Sequence, residues 1–333
     1  MKGEGYPVIY YGVEGSQVDC TEFIECLSEE ERFAIYGPID RFKDEHFFYH
    51  QNDEAYTKFI KNAIGILKYK TSPGDILINP MGNFFAEICQ PEVSGGVEKA
   101  HGYPFLVEGG IGYTGILKNT HKVFESNTWR SFLYGKYNIE NIQFYDTVIP
   151  NFFDPTHYKY SEDKEDYFLM VCRQAMRKGI NIATKTCRAI GAKLIIAGQP
   201  SDEIQTYPTG VEYIGYIDED EKIDLLSHAK ALFQPTIYNA PFEGVTVEAM
   251  MSGTPVITTD QGCFTETVLP CLTGYRCNTL KEFVNAANNI ETIDPAYCRD
   301  WAVGNYSLDV CAKKYDKYFQ RLGDLYKKGW YEL

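Results

Sequence analysis

One short cationic segment is the clearest candidate for a functional site in this chain, where acidic residues outnumber basic ones. Arg173, Arg177 and Lys178 follow an apolar run that ends at Val171. A guanidinium can hold phosphate oxygens at two points and an ammonium acts as a point charge. Arg173 and Lys178 therefore suit a diphosphate, and they would stabilise the charge that builds as it leaves. A solvated basic turn accounts for the same residues about as well.

A second segment, from Ala240 to Ile257, has the pattern of a loop, a short helix closed by Gly253 and a strand. Backbone N–H groups from Glu243 to Thr246 would be free at the start of that helix, where the helix dipole favours phosphate or sugar hydroxyls. Glu248, just inside the helix, suits the vicinal hydroxyls of a ribose. Its alternative role is a simple pairing with the helix dipole.

Composition limits the partners and the location. Forty-six acidic and thirty-two basic residues among 333 give a formal charge of −14, which argues against a nucleic-acid partner. No apolar run reaches the roughly 20 residues that span a bilayer, and the first residues lack the pattern of a secretion signal. We therefore expect no transmembrane segment and a cytoplasmic protein. The ten cysteines are dispersed without zinc-type spacing, which predicts free thiols.

The elements that position these residues are most regular in the second half. Strands and helices alternate there, as in a parallel sheet covered on both faces, where ligands collect at the carboxyl ends of the strands. The predicted strands are Asp166 to Val171, Lys193 to Ala197, Val211 to Ile214, Ala231 to Gln234 and Pro255 to Thr258. The predicted helices are Ile180 to Ile190, Asp218 to Ala229, Val245 to Ser252, Thr265 to Leu269, Thr279 to Asn288 and Leu308 to Lys328.

The first half is less regular. Its predicted strands are Val8 to Tyr11, Phe33 to Tyr36, Asp75 to Asn79, Phe105 to Glu108 and Thr147 to Ile149, and its predicted helices are Thr21 to Glu30, Glu54 to Lys68 and Val123 to Tyr134. The length predicts two domains, joined by the polar segment Asn151 to Glu165. We predict an N-terminal domain over residues 1–163, a C-terminal domain over 164–305, and a helix over 306–333 that either domain could receive.

From Asp166 to Arg276 the residues resemble a known family. Arg173 with Lys178 five residues on, the turn at Gly215 and the run from Glu248 to Ile257 are similar to the family-4 retaining glycosyltransferases of the GT-B fold. This resemblance implies two facing Rossmann-like α/β/α domains with a central cleft, the acceptor mainly on the first and the donor mainly on the second. It implies transfer of a hexose from a UDP- or GDP-linked sugar to a hydroxyl of a glycan or glycoconjugate, with retention and without a metal or cofactor.

The resemblance also assigns roles to individual residues. Arg173 and Lys178 would hold the donor diphosphate and act in catalysis, and Glu248 would hold the ribose. Gly198 would let the ligand approach the backbone closely. The other donor-binding residues that the family implies are Tyr216, Ile217, Phe242, Glu243, Gly244, Val245 and Thr246.

One position departs from the family pattern. The family has a glutamate eight residues before the one that matches Glu248, and this sequence has Ala240 there. Glu243, three residues later, is the candidate to reach the donor sugar in its place, as a catalytic residue. Alternatively, activity is impaired and the protein only binds nucleotide sugars. An epimerase or a hydrolase on the same fold is a third hypothesis.

The first half offers weaker candidates. Gly12 and Gly15 follow the first strand, and they either approach the diphosphate or form a plain turn. The run from Gly110 to Gly115 matches a dinucleotide fingerprint, but a poor helix opening follows it, so NAD binding is disfavoured. Candidates for contacts with the sugar or the acceptor are His101, Glu108 and Gly112, and a structural role is favoured for His101 and Glu108.

The acidic triplet Asp218-Glu219-Asp220 resembles a metal-binding motif of a different transferase architecture. It opens a predicted helix, where acidic side chains complement the dipole. We therefore expect no catalytic metal.

Overall fold

The computed structural model describes residues 2–38, 53–72, 74–80, 86–89, 105–118, 120–201, 203–204, 206–325 and 330. They form two compact units. The first takes the described residues of Met1–Phe124, Asn138–Ile149 and Ala312–Leu333, and the second takes Glu125–Tyr137 and Pro150–Cys311. The second unit thus includes residues 125–137 and the predicted linker as well as the chain from residue 164. The chain from Ala312 onward belongs to the first unit.

The first unit contains two parallel sheets. Strand β1 (Ile9–Val13) pairs with β2 (Glu22–Leu27), and a separate sheet has the order β3-β4-β5-β6. Its strands are β3 (Ile76–Asn79), β4 (Phe105–Ile111), β5 (His121–Phe124) and β6 (Thr147–Val148). The helices of this unit are α1 (Glu29–Tyr36), α2 (Glu54–Lys70), α3 (Ala86–Cys89) and most of α11 (Leu308–Asp324).

The second unit is built on a six-stranded parallel sheet with the order β12-β11-β10-β7-β8-β9. The strands are β7 (Phe168–Val171), β8 (Leu194–Ala197), β9 (Val211–Tyr213), β10 (Ala231–Gln234), β11 (Val256–Thr259) and β12 (Gly274–Cys277). The helices are α4 (Asn127–Lys136), α5 (Ile180–Ile190), α6 (Glu219–His228), α7 (Gly244–Met251), α8 (Phe264–Thr267), α9 (Leu280–Asn288) and α10 (Pro295–Tyr306). Every residue of β8, β10 and β11 is buried.

The strand order of this sheet reverses direction between β7 and β10. Read along the chain, β7, β8 and β9 extend to one side and β10, β11 and β12 extend to the other. In open parallel sheets, the loops at the carboxyl ends of the two strands beside such a switch point separate and leave room for a ligand. The fold therefore directs attention to the loops that follow β7 and β10.

The predictions for the second half are confirmed for every strand and helix that was assigned, within a few residues at each end. The predictions for residues 21–36 were wrong, because the strand comes first, at Glu22–Leu27, and the helix second, at Glu29–Tyr36. Ser28 and Glu31 form a reciprocal capping box that starts α1, so the helix begins after the apolar run and not within it. Similarly, Ser126 caps α4, so residues 121–124 are free to form a strand. Strand β12 and helix α10 were not predicted.

In the part of the chain that the structure describes, no helix combines the length and the apolar character needed to cross a membrane.

Candidate functional site

The two loops at the switch point touch each other through their backbones. One loop follows β7 and ends at Gly179, and the other follows β10 and begins at Pro235. Gly179 has a φ of +78°, and a Cβ there would lie 2.0 Å from the carbonyl oxygen of Pro235. The amide of Ile237 also donates to the carbonyl of Arg177 at 2.9 Å. Glycine at position 179 is thus required for the close approach of the two loops.

Lys178 and Glu243 form a buried ion pair across these loops. The Nζ of Lys178 lies 2.7 and 2.8 Å from the two carboxylate oxygens of Glu243, and 3.2 Å from the Tyr238 hydroxyl. The same carboxylate accepts hydrogen bonds from Gln234 at 2.9 Å, Tyr238 at 3.0 Å and Thr236 at 3.5 Å. Only 7% of Glu243 is exposed. The fold therefore joins two residues that the sequence separates by 65 positions.

Opposing forces act on the charge of Lys178. Burial lowers the pKa of this ammonium, because it removes the charged form from water, but the nearby Glu243 carboxylate and the Tyr238 oxygen raise it. The net effect is a pKa above the ordinary lysine value. The Glu243 carboxylate thus favours the charged form of Lys178 despite its burial.

Helix α7 begins at this ion pair, because Glu243 is its N-cap residue. The amides of Glu243, Gly244 and Val245 donate no hydrogen bond to any other described residue. The expectation that the Thr246 amide is also free was wrong, since it donates to the Glu243 carbonyl at 3.0 Å. This internal bond tightens the first turn. Three backbone donors beside a lysine remain available to an anion.

Aromatic packing holds the start of α7 in place. Phe242 is 9% exposed, and its ring stacks on that of Phe153 with centroids 6.4 Å apart. A Cβ at Gly244 would approach the same Phe153 ring to 3.2 Å. The small residue at position 244 therefore lets the helix start lie against the aromatic pair.

Arg173 begins the same loop that carries Lys178, and it differs from Lys178 in its surroundings. Arg173 is exposed, and its guanidinium has no hydrogen-bond or ion-pair partner in the described parts of the chain. Arg177 is also exposed, and its guanidinium lies 5.0 Å from the centre of the Tyr238 ring. The loop thus presents two accessible guanidinium groups and one buried ammonium.

Glu248 lies on the same helix, just after its first turn. Its carboxylate is 3.0 Å from the Nζ of Lys222 on α6, and Lys222 also lies 2.9 Å from Glu219. Burial raises the pKa of Glu248, and Lys222 partly offsets this effect. The predicted ribose ligand is therefore a largely buried carboxyl with one cationic neighbour.

The loops after β8 and β9 meet beside Cys172. Gly198 has a φ of +131°, and a Cβ there would lie 2.1 Å from the Cys172 carbonyl oxygen. Glycine is thus required at position 198 by the neighbouring backbone, whatever a ligand requires. The Tyr213 hydroxyl donates to the Gly198 carbonyl at 2.8 Å. Tyr216 is 48% exposed, and Ile217 follows it directly before α6.

Part of the chain is similar in sequence to a known protein family, and its fold is similar to that of solved structures. Residues 156–301, which contain every element from the loop after β7 to the start of α10, match the family model of the glycosyl transferases group 1. Two solved structures share the architecture of the chain. AviGT4, a glycosyltransferase involved in avilamycin A biosynthesis, is 22% identical, with a TM-score of 0.63 over 79% of this chain and 78% of its own. HepE of Anabaena in complex with UDP is 13% identical, with a TM-score of 0.64 over 79% and 82%.

The chain has the GT-B fold.

Two curated relatives match shorter segments. An uncharacterized glycosyltransferase of Methanocaldococcus jannaschii, MJ1607, is 27% identical over 170 residues, which is 47% of this chain and 42% of the relative. The alpha-1,3/1,6-mannosyltransferase ALG2 of Dictyostelium discoideum is 44% identical over 78 residues, which is 22% of this chain and 18% of the relative. The chain therefore matches less than half the length of either relative.

Ala240, which stands where the resemblance leads us to expect a glutamate, is completely buried. Its carbonyl accepts a hydrogen bond from the Cys263 amide at 3.2 Å, and a Cβ at Gly262 would come within 3.0 Å of the Ala240 nitrogen. Position 240 is thus part of the core of the second unit. The carboxylate of this segment lies at position 243 instead.

Sequence reasoning missed a group of residues that ties α4 to the loop after β10. The Ser126 hydroxyl accepts from the Trp129 amide at 3.1 Å and donates to the Pro241 carbonyl at 2.7 Å. Glu266 accepts hydrogen bonds from the backbone and side chain of both Asn127 and Thr128, at 2.7 to 2.9 Å. The serine cap before an apolar run was a detectable signal, but the pairing with Glu266 depends on residues almost 140 positions apart.

Glu125, directly before this cap, is a second residue that the sequence did not indicate. Burial raises its pKa to about 7, with an additional contribution from the negative charge of Glu243, while a hydrogen bond from Asn151 at 2.9 Å opposes the shift. Glu125 thus gains or loses its proton near neutrality. No local pattern marks it, because the shift arises from tertiary burial.

The candidates from the first half lie in the first unit. Glu108 is fully buried and accepts hydrogen bonds from the Tyr113 hydroxyl, the Leu117 amide and the Thr120 hydroxyl, which favours the structural role for this carboxylate. Gly110 to Gly115 leads into a loop, and no helix forms over residues 112–118, so the dinucleotide hypothesis lacks its helix. Gly15 has a φ of +80° after β1, and Gly12 lies within β1. Gly112 lies in the loop after β4, and His101 lies outside the described residues.

The acidic triplet at residue 218 caps helix α6. Asp218 accepts a hydrogen bond from the Glu221 amide at 2.9 Å, and Glu221 accepts one from the Asp218 amide at 3.0 Å. This capping box gives Asp218 a structural role at the start of the helix, and Glu219 lies 2.9 Å from Lys222. Over the described ranges, no three His, Cys, Asp or Glu side chains are grouped so that they could hold a metal ion.

Proposed function

We propose that this protein is a retaining glycosyltransferase that moves a hexose from a nucleotide-diphosphate sugar to a hydroxyl group of a glycan or glycoconjugate. The observation that carries this proposal is the position of Lys178, whose ammonium lies beside the open start of α7 at the switch point of the sheet. A diphosphate needs both a cation and backbone donors, and this arrangement supplies both.

Each part of the donor has a proposed partner. The diphosphate binds the Arg173 guanidinium, the Lys178 ammonium and the amides from Glu243 to Val245. The ribose hydroxyls bind the Glu248 carboxylate, and the base contacts the backbone at Tyr216 and Ile217. HepE, a protein of the same fold, has been solved with UDP and with UDP-glucose, which supports a uridine donor ahead of a guanosine one.

The chemistry follows from charge. As the glycosidic bond to the donor phosphate breaks, negative charge builds on the diphosphate. Preorganised cations and amides stabilise that charge better than water does, because they need no reorientation. The acceptor oxygen bonds to the anomeric carbon on the face from which the diphosphate departs, and the leaving diphosphate takes the proton of that hydroxyl, so the configuration at the anomeric carbon is retained. We assign no metal ion to the reaction.

The test is incubation of the protein with a panel of UDP- and GDP-linked hexoses, with and without hydroxyl acceptors. We expect release of the nucleoside diphosphate that depends on the acceptor, and a product whose anomeric proton coupling by NMR matches that of the donor. Release without an acceptor would indicate a hydrolase, and a changed sugar would indicate an epimerase. An inverted product would refute the retaining mechanism.

A second candidate is a protein that binds nucleotide sugars but transfers them poorly. Two observations favour it. Ala240 provides no carboxylate, and the carboxylate of Glu243 is already occupied by protein groups. This candidate predicts a rise in melting temperature with a nucleotide sugar but no release of nucleotide with any acceptor in the panel.

A further inference from the structure

The carboxylate of Glu243 has no capacity left for a sugar hydroxyl. One oxygen accepts hydrogen bonds from Lys178 at 2.7 Å, Tyr238 at 3.0 Å and Thr236 at 3.5 Å. The other accepts from Lys178 at 2.8 Å and Gln234 at 2.9 Å. A carboxylate offers about four acceptor sites, and here five contacts surround it. The expectation that Glu243 contacts the donor sugar therefore conflicts with the geometry.

The side chains around Glu243 surround its carboxylate with hydrogen-bond donors. Gln234, Thr236 and Tyr238 are alternate residues of the segment that leaves β10, and alternate residues of an extended chain point to the same side. All three direct a polar group at Glu243. Lys178 approaches from the loop after β7 and completes the arrangement. The carboxylate is thus fixed by the ends of the two strands that flank the switch point.

Lys178 depends on this carboxylate for its charge and its place. Only 15% of the Lys178 side chain is exposed, and burial alone lowers the pKa of a lysine. The two oxygens of Glu243 lie 2.7 and 2.8 Å from the Lys178 ammonium and the Tyr238 hydroxyl lies 3.2 Å from it, and these contacts orient the ammonium. Without Glu243, the ammonium would lose both its orientation and its compensating charge.

We propose that Glu243 is a positioning residue that acts through Lys178, holding its ammonium protonated beside the first amides of α7, and that it does not contact the donor sugar. The proposal rests on the proposed function only for the role of Lys178 with a diphosphate. It gives the carboxylate at position 243 a task different from the one expected of a glutamate at position 240, where Ala240 is buried.

Among the described residues, the groups that act on the charge of Lys178 are Glu243 and Tyr238. The Cys172 thiol is neutral near pH 7, because burial raises its pKa to about 12. Glu125 adds negative charge only above about pH 7. Arg177, Tyr238 and Cys263 also lie near the pair, and none of the three is an anion at neutral pH. The charge of Lys178 is therefore expected to respond to Glu243 above all.

The first experiment measures the titration of Lys178 by NMR in protein labelled with ¹³C at the lysine ε position, with Lys178→Arg used to assign the signal. In the wild type we expect a pKa above the ordinary value of 10.5. In Glu243→Gln, which keeps the size of the side chain, we expect it to fall below 10.5. Tyr238→Phe removes one neutral contact and serves as the matched control, with the pKa still above 10.5. An unchanged titration in Glu243→Gln would overturn the proposal.

The second experiment measures the affinity for UDP as the pH rises, by calorimetry. In the wild type we expect affinity to persist to strongly alkaline pH, and in Glu243→Gln to decline at a lower pH that matches the new Lys178 titration. Glu243→Asp keeps the charge and should recover most of the wild-type profile. Equal pH profiles for the wild type and Glu243→Gln would contradict the positioning role. A wild type that binds neither UDP nor GDP would refute the proposed function, and the NMR titration would still decide the role of Glu243.

Steady-state kinetics separate positioning from sugar binding. Loss of a preorganised charge acts mainly on the transition state, so, at a pH above the Lys178 pKa of the variant, Glu243→Gln should lower kcat by roughly 10- to 100-fold, a larger change than the accompanying rise in the KM for the donor. A direct contact with the donor sugar in the ground state would instead act mainly on KM. A thermal melt close to that of the wild type shows that the variant is folded, and Glu243→Asp provides a second folded variant for the same comparison.

Discussion

Two buried carboxylates, one in each unit, are satisfied in different ways. Glu108 in β4 is completely buried, and its partners are the hydroxyls of Tyr113 and Thr120 and the amide of Leu117, all within twelve residues along the chain. Glu243 is almost as buried, but its main partner is a cation 65 residues away. The first carboxylate closes its own loop, whereas the second joins two loops.

The two carboxylates also differ in the charges that surround them. Around Glu108, burial raises the pKa, and the Leu117 amide, the Tyr113 and Thr120 hydroxyls and the charge of Lys122 only partly oppose this shift, so its environment tolerates a protonated acid. Around Glu243, an ammonium stays charged in the interior at the end of a parallel strand. An ion pair is costly to bury unless it is well hydrogen-bonded. Here Gln234 and Tyr238 donate further hydrogen bonds to the carboxylate of the pair. We therefore look for function at Glu243 and for loop stability at Glu108.

The largest expected effect is that of Lys178→Met. It removes the cation and leaves the Glu243 carboxylate buried among neutral groups, which we expect to lower the free energy of unfolding by about 4 kcal/mol. Urea denaturation measures this change. Arg173→Met is the matched control, because Arg173 is exposed and has no partner among the described residues, and its effect on stability should stay within about 0.5 kcal/mol. A stable Lys178→Met protein would remove the distinction between the two carboxylates.

Arg173, which should matter little for stability, should matter strongly for catalysis. Arg173→Ala is expected to cost about 3 kcal/mol in transition-state stabilisation, roughly a 100-fold loss in kcat/KM, because a preorganised cation near the diphosphate is lost. Stability should not change. Arg188→Ala, an exposed arginine in the last turn of α5, provides the control for a general loss of positive charge. Turnover equal to that of the wild type in Arg173→Ala would mean that the accessible guanidinium has no part in the reaction.

A third carboxylate extends the comparison within the second unit. Glu248 pairs with Lys222 on another element, as Glu243 pairs with Lys178, but our proposal gives it a direct ligand. Glu248→Ala should weaken donor binding by about 2 kcal/mol, the scale of a hydrogen bond to a charged group, as measured by calorimetry. Glu219→Ala removes the exposed partner of the same lysine and should leave affinity unchanged. Equal loss in both variants would assign the effect to Lys222.

The sequence could predict much of the second unit and little of its polar core. Helix α5 was predicted with its exact ends because Gly191 closes it, and α6 was predicted to within one residue because Asp218 caps it. Such signals are local. The first unit was less predictable, since the capping box at Ser28 was overlooked and the apolar run before it was interpreted as a helix.

The site shows the same limit. Local motifs identified Lys178, Glu243 and the start of α7 separately. The ion pair between Glu243 and Lys178 could not be predicted without the strand order. Strands β7 and β10 are neighbours in the sheet only because the order reverses at the switch point. Burial, which sets the pKa of Glu125, likewise depends on contacts such as that with Asn151. Contacts between distant segments have no signature in a single sequence.

Glu125 is a further buried carboxyl, and it should make the free energy of unfolding depend on pH. Burial raises its folded-state pKa from 4.5 to about 7, so the protonated form adds stability below pH 4.5, and that contribution is lost as the pH rises to about 7. The free energy of unfolding of the wild type should therefore fall relative to Glu125→Gln over this interval, by roughly 2 kcal/mol when partial solvent screening is considered. Urea titrations at several pH values measure the difference. A constant difference would show that the Glu125 pKa is not raised on folding.

The smallest effect is expected in the loop that Glu108 closes. Tyr113→Phe removes one neutral donor at 2.9 Å from a carboxylate that keeps the Leu117 amide and the Thr120 hydroxyl, and we expect a loss of about 1 kcal/mol in the free energy of unfolding. Because the Glu108 pKa is raised, this loss should decrease as the pH falls and the carboxyl takes up a proton. Affinity for UDP should be unaffected. Weakened UDP binding in Tyr113→Phe would show that Glu108 takes part in ligand binding and would contradict the structural role that distinguishes it from Glu243.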